Sequence, residues 1–108
     1  MEDTCMNRES ERDPMQVNIE QVCREWKARG FSCDIWSDPP GQIWANFIHA
    51  TDELVMLLEG EFELEYASRC LRPQVGEEVL IPAGLSHTVR NIGGSQNRWL
   101  YGYGKEQG

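Results

Sequence analysis

The pattern of apolar and polar positions changes its period near Gly30. Before this point the apolar positions follow the i, i+3, i+4, i+7 spacing of a helix with one apolar face, and they are Ile19, Val22, Cys23 and Trp26. Asn18 can cap the first turn, and Gly30 is placed to end the helix. The spacing therefore predicts a helix over about residues 18–29, and we expect its apolar face to pack against a sheet.

After Gly30 the period is two, as in a strand with one buried face. The alternation is clearest over residues 61–66, where three glutamates alternate with Phe62, Leu64 and Tyr66. Residues 54–58 form a continuous apolar run before Glu59-Gly60, which predicts a more buried strand that turns into the next one. Further strands are predicted over residues 31–37, 42–49, 71–74, 78–81, 86–91 and 98–105. Eight short strands separated by turn residues predict an all-β fold, a small antiparallel jelly-roll barrel with one N-terminal helix.

A chain of 108 residues has room for one domain with a modest core. Residues 1–16 are polar and charged, which is typical of a tail without fixed structure, and residues 17–108 are predicted to form the single domain. The formal net charge of −8 would repel a phosphate backbone, so nucleic-acid binding is disfavoured. No apolar run is long enough to span a bilayer, and the first sixteen residues lack the apolar segment of a secretory signal.

The four cysteines are widely spaced and contain no CxxC pair, which argues against a zinc ribbon and a disulfide framework. Reduced cysteines and a cytoplasmic location are the resulting predictions. Cys23 falls on the predicted helix face and Cys33 in a predicted strand, where packing is the ordinary role of a cysteine.

The two histidines of the chain, His49 and His87, offer with Glu53 two imidazoles and a carboxylate, the ligand set of a mononuclear metal site. By strand alternation, His49 shares its side with Ile43, Ala45 and Phe47, the more apolar side of its strand. His87 shares its side with Val89 and Asn91. Both imidazoles are therefore predicted to point inward.

Glu53 needs a bend in the chain. A straight strand would place it about 13 Å from His49, whereas ligand bonds to one metal are about 2 Å long. Residues 50–52 suit a bend because Thr and Asp side chains can bond nearby backbone amides. A bend shifted by one residue would make Asp52 the ligand instead. Of the two carboxylates, we favour Glu53.

The segment from Gly76 to Asn91 resembles the second sequence motif of the cupin superfamily. Its glycine, five residues, proline, one residue, glycine, two residues, histidine, three residues and asparagine match at every fixed position. The first cupin motif is matched in part, because Glu53 is followed by six residues and Gly60, and His49 holds the second histidine position. Phe47 stands where that motif has its first histidine. The two motifs together cover residues 47–91.

The resemblance implies a small conserved-barrel protein that holds one divalent transition metal, with His49, Glu53 and His87 as ligands. Phe47 cannot coordinate, so the fourth protein ligand position is lost. Three ligands leave positions open for substrate and oxygen, which suits dioxygenase-like chemistry, although the same loss is compatible with a degenerate site. Iron, manganese, nickel, zinc and copper all suit two nitrogens and one oxygen.

The leading hypothesis is a metal-binding cupin that binds or transforms a small molecule in an apolar pocket, with Phe47, Phe62, Tyr66 and Val89 as walls. The alternative is a non-enzymatic binding or structural cupin. A homodimer is expected, because small jelly rolls expose sheet edges. Five further aromatic residues are predicted to pack in the core or a dimer interface, with one or two of them at the pocket mouth as the alternative. They are Trp36, Trp44, Trp99, Tyr101 and Tyr103.

Overall fold

The structure, a computed structural model, describes residues 17–104. The predicted tail over residues 1–16 and the end of the last predicted strand lie outside this range. Within it, one helix is followed by eight strands, which confirms the predicted all-β barrel with an N-terminal helix. The elements are α1 (Ile19–Ala28), β1 (Asp34–Asp38), β2 (Ile43–Phe47), β3 (Glu53–Glu59), β4 (Phe62–Tyr66), β5 (Arg69–Leu71), β6 (Glu78–Ile81), β7 (His87–Asn91) and β8 (Asn97–Tyr103).

The helix begins and ends where its sequence predicts. The Asn18 side chain accepts a hydrogen bond from the backbone N–H of Gln21 at 3.0 Å, which satisfies one of the amides left without a partner in the first turn. Trp26 on its apolar face is buried. Within residues 17–104 no helix is long and apolar enough to cross a bilayer.

The strands form two four-stranded antiparallel sheets. Their orders are β1-β8-β3-β6 in the first sheet and β2-β7-β4-β5 in the second. Neighbouring strands within each sheet are mostly far apart in sequence, as is usual in a jelly roll. The fifth predicted strand, over residues 71–74, is wrong in position, because β5 ends at Leu71.

The first sheet is apolar on both of its faces. Val55 and Leu57 of β3 face the second sheet, in an inner core that also includes Phe62, Leu64 and Val89. Leu54, Met56 and Leu58 of the same strand pack on the other face together with Trp26 and Leu100. This double burial explains why the apolar run over residues 54–58 does not alternate.

The hairpin between β3 and β4 depends on Gly60. Its φ of 101° is one that residues with a side chain rarely adopt, and a Cβ there would clash with the side chain of Asn97. That side chain accepts from the backbone N–H of Glu61 and donates to its carbonyl, each at 2.9 Å. The buried Asn97 thus fastens the start of β8 to the hairpin.

Cys23 and Cys33 are joined by a disulfide, with their Cα atoms 5.3 Å apart. The prediction of reduced cysteines is therefore wrong for this pair. Packing is nevertheless part of their role, because both residues lie against the cluster between α1 and the first sheet. Cys70 is a free and exposed thiol. The bond ties the helix to the segment that leads into β1.

Candidate metal centre

The three predicted ligands converge at one end of the barrel. His49 follows the end of β2, Glu53 is the first residue of β3, and His87 is the first residue of β7. One donor atom of each lies within 4.8 Å of the other two. The residues that the sequence singled out are therefore brought together by three different parts of the fold.

The Glu53 carboxylate lies between the two imidazoles. Its Oε1 atom is 3.3 Å from Nε2 of His87 and 3.5 Å from Nε2 of His49. The Glu53 side chain is almost fully buried, yet Oε1 has no hydrogen-bond partner of acceptable geometry. A buried carboxylate oxygen without a partner is costly, and a cation between these donors would satisfy it.

The bend between His49 and Glu53 is held by Asp52. Its carboxylate accepts from the backbone N–H of Ala83 at 2.8 Å, and its carbonyl accepts from Gly104 at 2.9 Å. The carbonyl of His49 accepts from Gly84 at 2.9 Å. Asp52, the alternative ligand, is thus an exposed residue that fixes the loop, whereas Glu53 faces the histidines.

His87 is 4% exposed, and its protonation reflects two opposing effects. Burial lowers the pKa of the imidazole, whereas contact with Glu53 and its charge raise it, with a smaller contribution from the Leu85 carbonyl. The net result is a pKa of His87 above its ordinary value. Burial, and then the charges of Glu53 and Tyr101, raise the pKa of Tyr103 to about 12.

A cavity of about 200 Å³ opens beside these ligands. Of the four predicted wall residues, Phe47 and Val89 line it. Phe62 and Tyr66 do not line this cavity. Phe62 lies in the inner core against Trp99, and Tyr66 packs against the same core although it is opposite His87 in the ladder between β4 and β7. All five other aromatic residues line the cavity, more than the one or two that the alternative allowed. Trp44, Trp99 and Tyr101 also pack in or against the inner core, as the leading prediction has it.

The position of Trp44 corrects the strand alternation. Trp44 is opposite Val89 and Phe47 is opposite His87. Between these two pairs the chain advances by three residues in β2 and by two residues in β7. This extra residue is a β-bulge, and it places Trp44 and Phe47 on the same face. Unbroken alternation predicts that Ile43 shares the inner side with Phe47, whereas Ile43 is exposed and Trp44 packs against the inner core.

Phe47, which stands where the cupin motif has its first histidine, lies beside both imidazoles. Its ring centroid is 6.2 Å from that of His49 and 6.3 Å from that of His87, and the residue is 41% exposed. A phenyl ring offers no donor atom, so the three ligands face a partly open apolar side. Tyr103, which the sequence offers only as one of five aromatic residues for the core or the pocket mouth, contacts His49, with its hydroxyl 3.4 Å from Nε2.

Comparisons with known proteins agree with this architecture. The family model of the cupin domain matches residues 34–103. A search of curated proteins finds no match. Among solved structures, the TT1209 protein from Thermus thermophilus is 26% identical with a TM-score of 0.64, and the match covers 71% of this chain and 74% of that one.

Two further structures share the fold at lower identity. The cupin domain of Cnp3 from Schizosaccharomyces pombe is 18% identical with a TM-score of 0.66, covering 71% of this chain and 57% of that one. The DMSP lyase DddQ from Ruegeria pomeroyi DSS-3 is 21% identical with a TM-score of 0.63, covering 70% of this chain and 39% of that one. These two likenesses concern the fold alone.

Proposed function

The chain belongs to the cupin family, and on that premise we propose that it holds one divalent transition metal and binds a small molecule beside it. The ligands would be His49, Glu53 and His87. The observation that carries the proposal is the buried Oε1 atom of Glu53, which lacks a hydrogen-bond partner and lies between two imidazole nitrogens.

The donor set fits the proposed group. Two nitrogens and one oxygen suit iron, manganese, nickel, zinc or copper. When bound, such an ion would supply a Lewis acid for an oxygen-bearing ligand or a centre for dioxygen chemistry, so a mononuclear, dioxygenase-like oxidoreductase or an isomerase is the proposed class of enzyme.

The surrounding residues would orient the small molecule and limit its contact with water. Phe47 closes one side without a donor, and Val89 adds an apolar wall. Tyr103 supplies a hydroxyl that stays protonated at neutral pH, given its pKa of about 12. A nitrogen of His49 that coordinates a metal cannot also accept from this phenol, so the hydroxyl would be available to donate to a ligand.

The competing function is a non-enzymatic cupin in which a metal only stiffens the barrel, or in which the three residues bind none. Both functions are compatible with the same three side chains. Metal content and substrate turnover separate them. A metal that is bound but supports no turnover would favour the structural role.

The test is elemental mass spectrometry of protein purified without chelators, followed by titration of the metal-free protein with Mn²⁺, Fe²⁺ and Zn²⁺. We expect about one ion per chain, and loss of binding in His87→Ala. Glu53→Gln should weaken binding as well, and its matched control is Glu65→Gln, because Glu65 is exposed and pairs with Arg90 at 2.9 Å, away from the cavity. Protein that binds no ion in any titration would contradict the proposal.

Three further predictions remain open. A homodimer can be tested by light scattering, and the lack of nucleic-acid binding by gel shift. A cytoplasmic location would have to accommodate the bond between Cys23 and Cys33, since such bonds persist mainly in oxidising compartments.

A further inference from the structure

Four aromatic side chains form the wall of the cavity beyond the metal ligands, and we call them the aromatic cage: Trp36, Trp44, Trp99 and Tyr101. The planes of Trp36 and Trp44 meet at 75° with centroids 5.6 Å apart, and those of Trp36 and Tyr101 meet at 85° with centroids 6.4 Å apart. Trp99 and Tyr101 meet at 58°. Rings at such steep angles form the sides of a box, which suits a compact rounded group, whereas parallel rings would suit a flat one.

A buried carboxylate lies behind the cage. Asp38 is 2% exposed, and its Oδ2 atom accepts from the indole N–H of Trp44 at 3.2 Å and from that of Trp99 at 3.3 Å. The Asn91 side chain donates to its Oδ1 at 3.4 Å. In the part of the chain that the structure describes, no Lys, Arg or His forms an ion pair with Asp38 at 4.0 Å or less. Among the described residues, this carboxylate is therefore met by hydrogen-bond donors and not by a cation, and it lies next to two indoles.

The charges of the cavity are divided between its two ends. The described residues that line it include no Lys or Arg. Arg90 of β7 pairs with Glu63 and Glu65 and does not line the cavity. At one end, a divalent ion with Glu53 would leave one positive charge in excess, and at the other end Asp38 leaves one negative charge.

From this arrangement we infer that the cavity takes a small zwitterion, with an onium group, such as a trimethylammonium or sulfonium, in the aromatic cage and a carboxylate at the metal end. Aromatic faces attract cations, and electron-rich rings backed by a carboxylate do so more strongly. The position of the carboxylate rests on the proposed metal site. The onium part rests on the cage and Asp38 alone.

The dimensions agree with a small ligand. His49 contacts Tyr103 with centroids 4.7 Å apart, and Tyr103 contacts Tyr101 with centroids 5.8 Å apart, so two ring contacts lead from the metal ligands to the cage. The cavity of about 200 Å³ is smaller than the roughly 300–1,000 Å³ of pockets for drug-sized molecules. A ligand with a few methylene groups between its two charges matches both values.

The test compares ligands of equal shape that differ only in charge. In calorimetric titrations of Mn²⁺-loaded protein, trimethylammonioacetate is compared with tert-butylacetate, that is, the 3,3-dimethylbutanoate anion. This anion has the same carboxylate and a neutral tert-butyl group in place of the trimethylammonium. In metal-free protein, choline is compared with tert-butylethanol. We expect the onium ligand of each pair to bind about 3- to 30-fold more tightly than its neutral partner.

Three variants assign this preference to the cage. Trp36 is 40% exposed, so Trp36→Leu should fold, and it should bring the ratio of onium to neutral affinity towards one, whereas Trp36→Phe should retain part of it. Asp38→Asn should lower the same ratio by about threefold through the lost charge while affinity for the neutral ligand stays the same. If Asp38→Asn does not fold, the two Trp36 variants decide the question.

The outcomes separate this inference from the proposed function. Equal binding of trimethylammonioacetate and tert-butylacetate to metal-loaded protein would overturn the onium site and leave the metal site intact. A preference for choline in protein that binds no metal would support the onium site and overturn the proposed function. A preference that survives Trp36→Leu unchanged would assign the cation to Glu53 and overturn the cage.

Discussion

The two faces of the first sheet use apolar residues for different purposes. On the outer face, Leu54 and Leu100 pack under α1 around Trp26, and the buried residues of this cluster are all apolar. On the inner face, apolar residues share the space with Glu53, which belongs to the same strand as Leu54. One strand thus contributes a site residue to one side and only packing to the other. The comparison suggests that stability and ligand binding can be changed separately.

The largest expected effect is on the outer face. Trp26→Ala removes a side chain that is 1% exposed and should lower the free energy of unfolding by about 3–5 kcal/mol. The affinity of the remaining folded protein for metal should not change. Denaturant unfolding and metal titration measure the two quantities, and a tenfold loss of metal affinity would break the separation between the faces.

The converse change is on the inner face. Glu53→Gln should weaken metal binding by about a hundredfold or more, equivalent to about 2.7 kcal/mol, because it removes the anionic ligand. The free energy of unfolding of the metal-free protein should not fall by more than about 1 kcal/mol, because Oε1 of Glu53 lacks a hydrogen-bond partner and its burial is costly. Glu65→Gln serves as the control, and an equal loss of metal affinity in both variants would contradict the assignment of Glu53.

A smaller effect is expected at Gly102, which faces α1. A Cβ at this position would clash with the carbonyl of Ser32 and press on the Trp26 ring. Gly102→Ala should therefore lower the free energy of unfolding by about 1–3 kcal/mol, as overpacking usually does. Thermal unfolding measures the loss. Unchanged stability would show that the outer cluster is more loosely packed than the structure indicates.

The smallest effect concerns pH. Hydrogen bonds from Arg29 lower the pKa of Glu78, burial opposes them, and the Trp26 indole adds a further donor at 3.0 Å. Because the folded-state pKa is depressed, this stabilisation is present above the ordinary value of 4.5 and is lost as the pH falls through the folded-state pKa. The pair is partly exposed, so the contribution should be below about 1 kcal/mol.

Unfolding measured between pH 7 and pH 3 for the native chain and for Glu78→Gln gives this contribution. The difference in stability between the two proteins should shrink as the solution becomes acidic. A difference that stays constant over this range would mean that Glu78 does not titrate with folding.

The site was predictable where chemistry restricts the residue type. Few side chains can bind a transition metal, so His49, Glu53 and His87 are found from the sequence as candidate ligands, and the inward direction of His87 follows from the regular alternation of β7. Alternation places Ile43 on the inner side of β2, but Trp44 lies there instead, because a single extra residue in β2 reverses the alternation and nothing in the sequence marks its position. Alternation also predicts which side of a strand a residue faces, but not how far along the barrel axis that residue lies. Phe62 therefore points inward, yet it is opposite Asn91, at the far end of β7 from His87.

The cysteine pair was missed for a related reason. Pairing requires that α1 lie on the outer face of the first sheet with Cys23 near the chain that enters β1, and this is a property of the tertiary structure. The spacing of the cysteines contains no information about it. The aromatic cage likewise depends on three strands, β1, β2 and β8, that meet only in the folded barrel.

The link between Cys23 and Cys33 also makes the helix sensitive to its chemical surroundings. It closes a short loop, with a sequence separation of 10. A reducing agent such as glutathione would open that loop, and residues 19–28 would then rely on side-chain packing and on the hydrogen bonds of Trp26 and Arg29 to Glu78 to stay docked. Their amide hydrogens would exchange with deuterium sooner than those of the strands, so the exchange rate of a single helix would reveal whether the molecule has encountered free thiols.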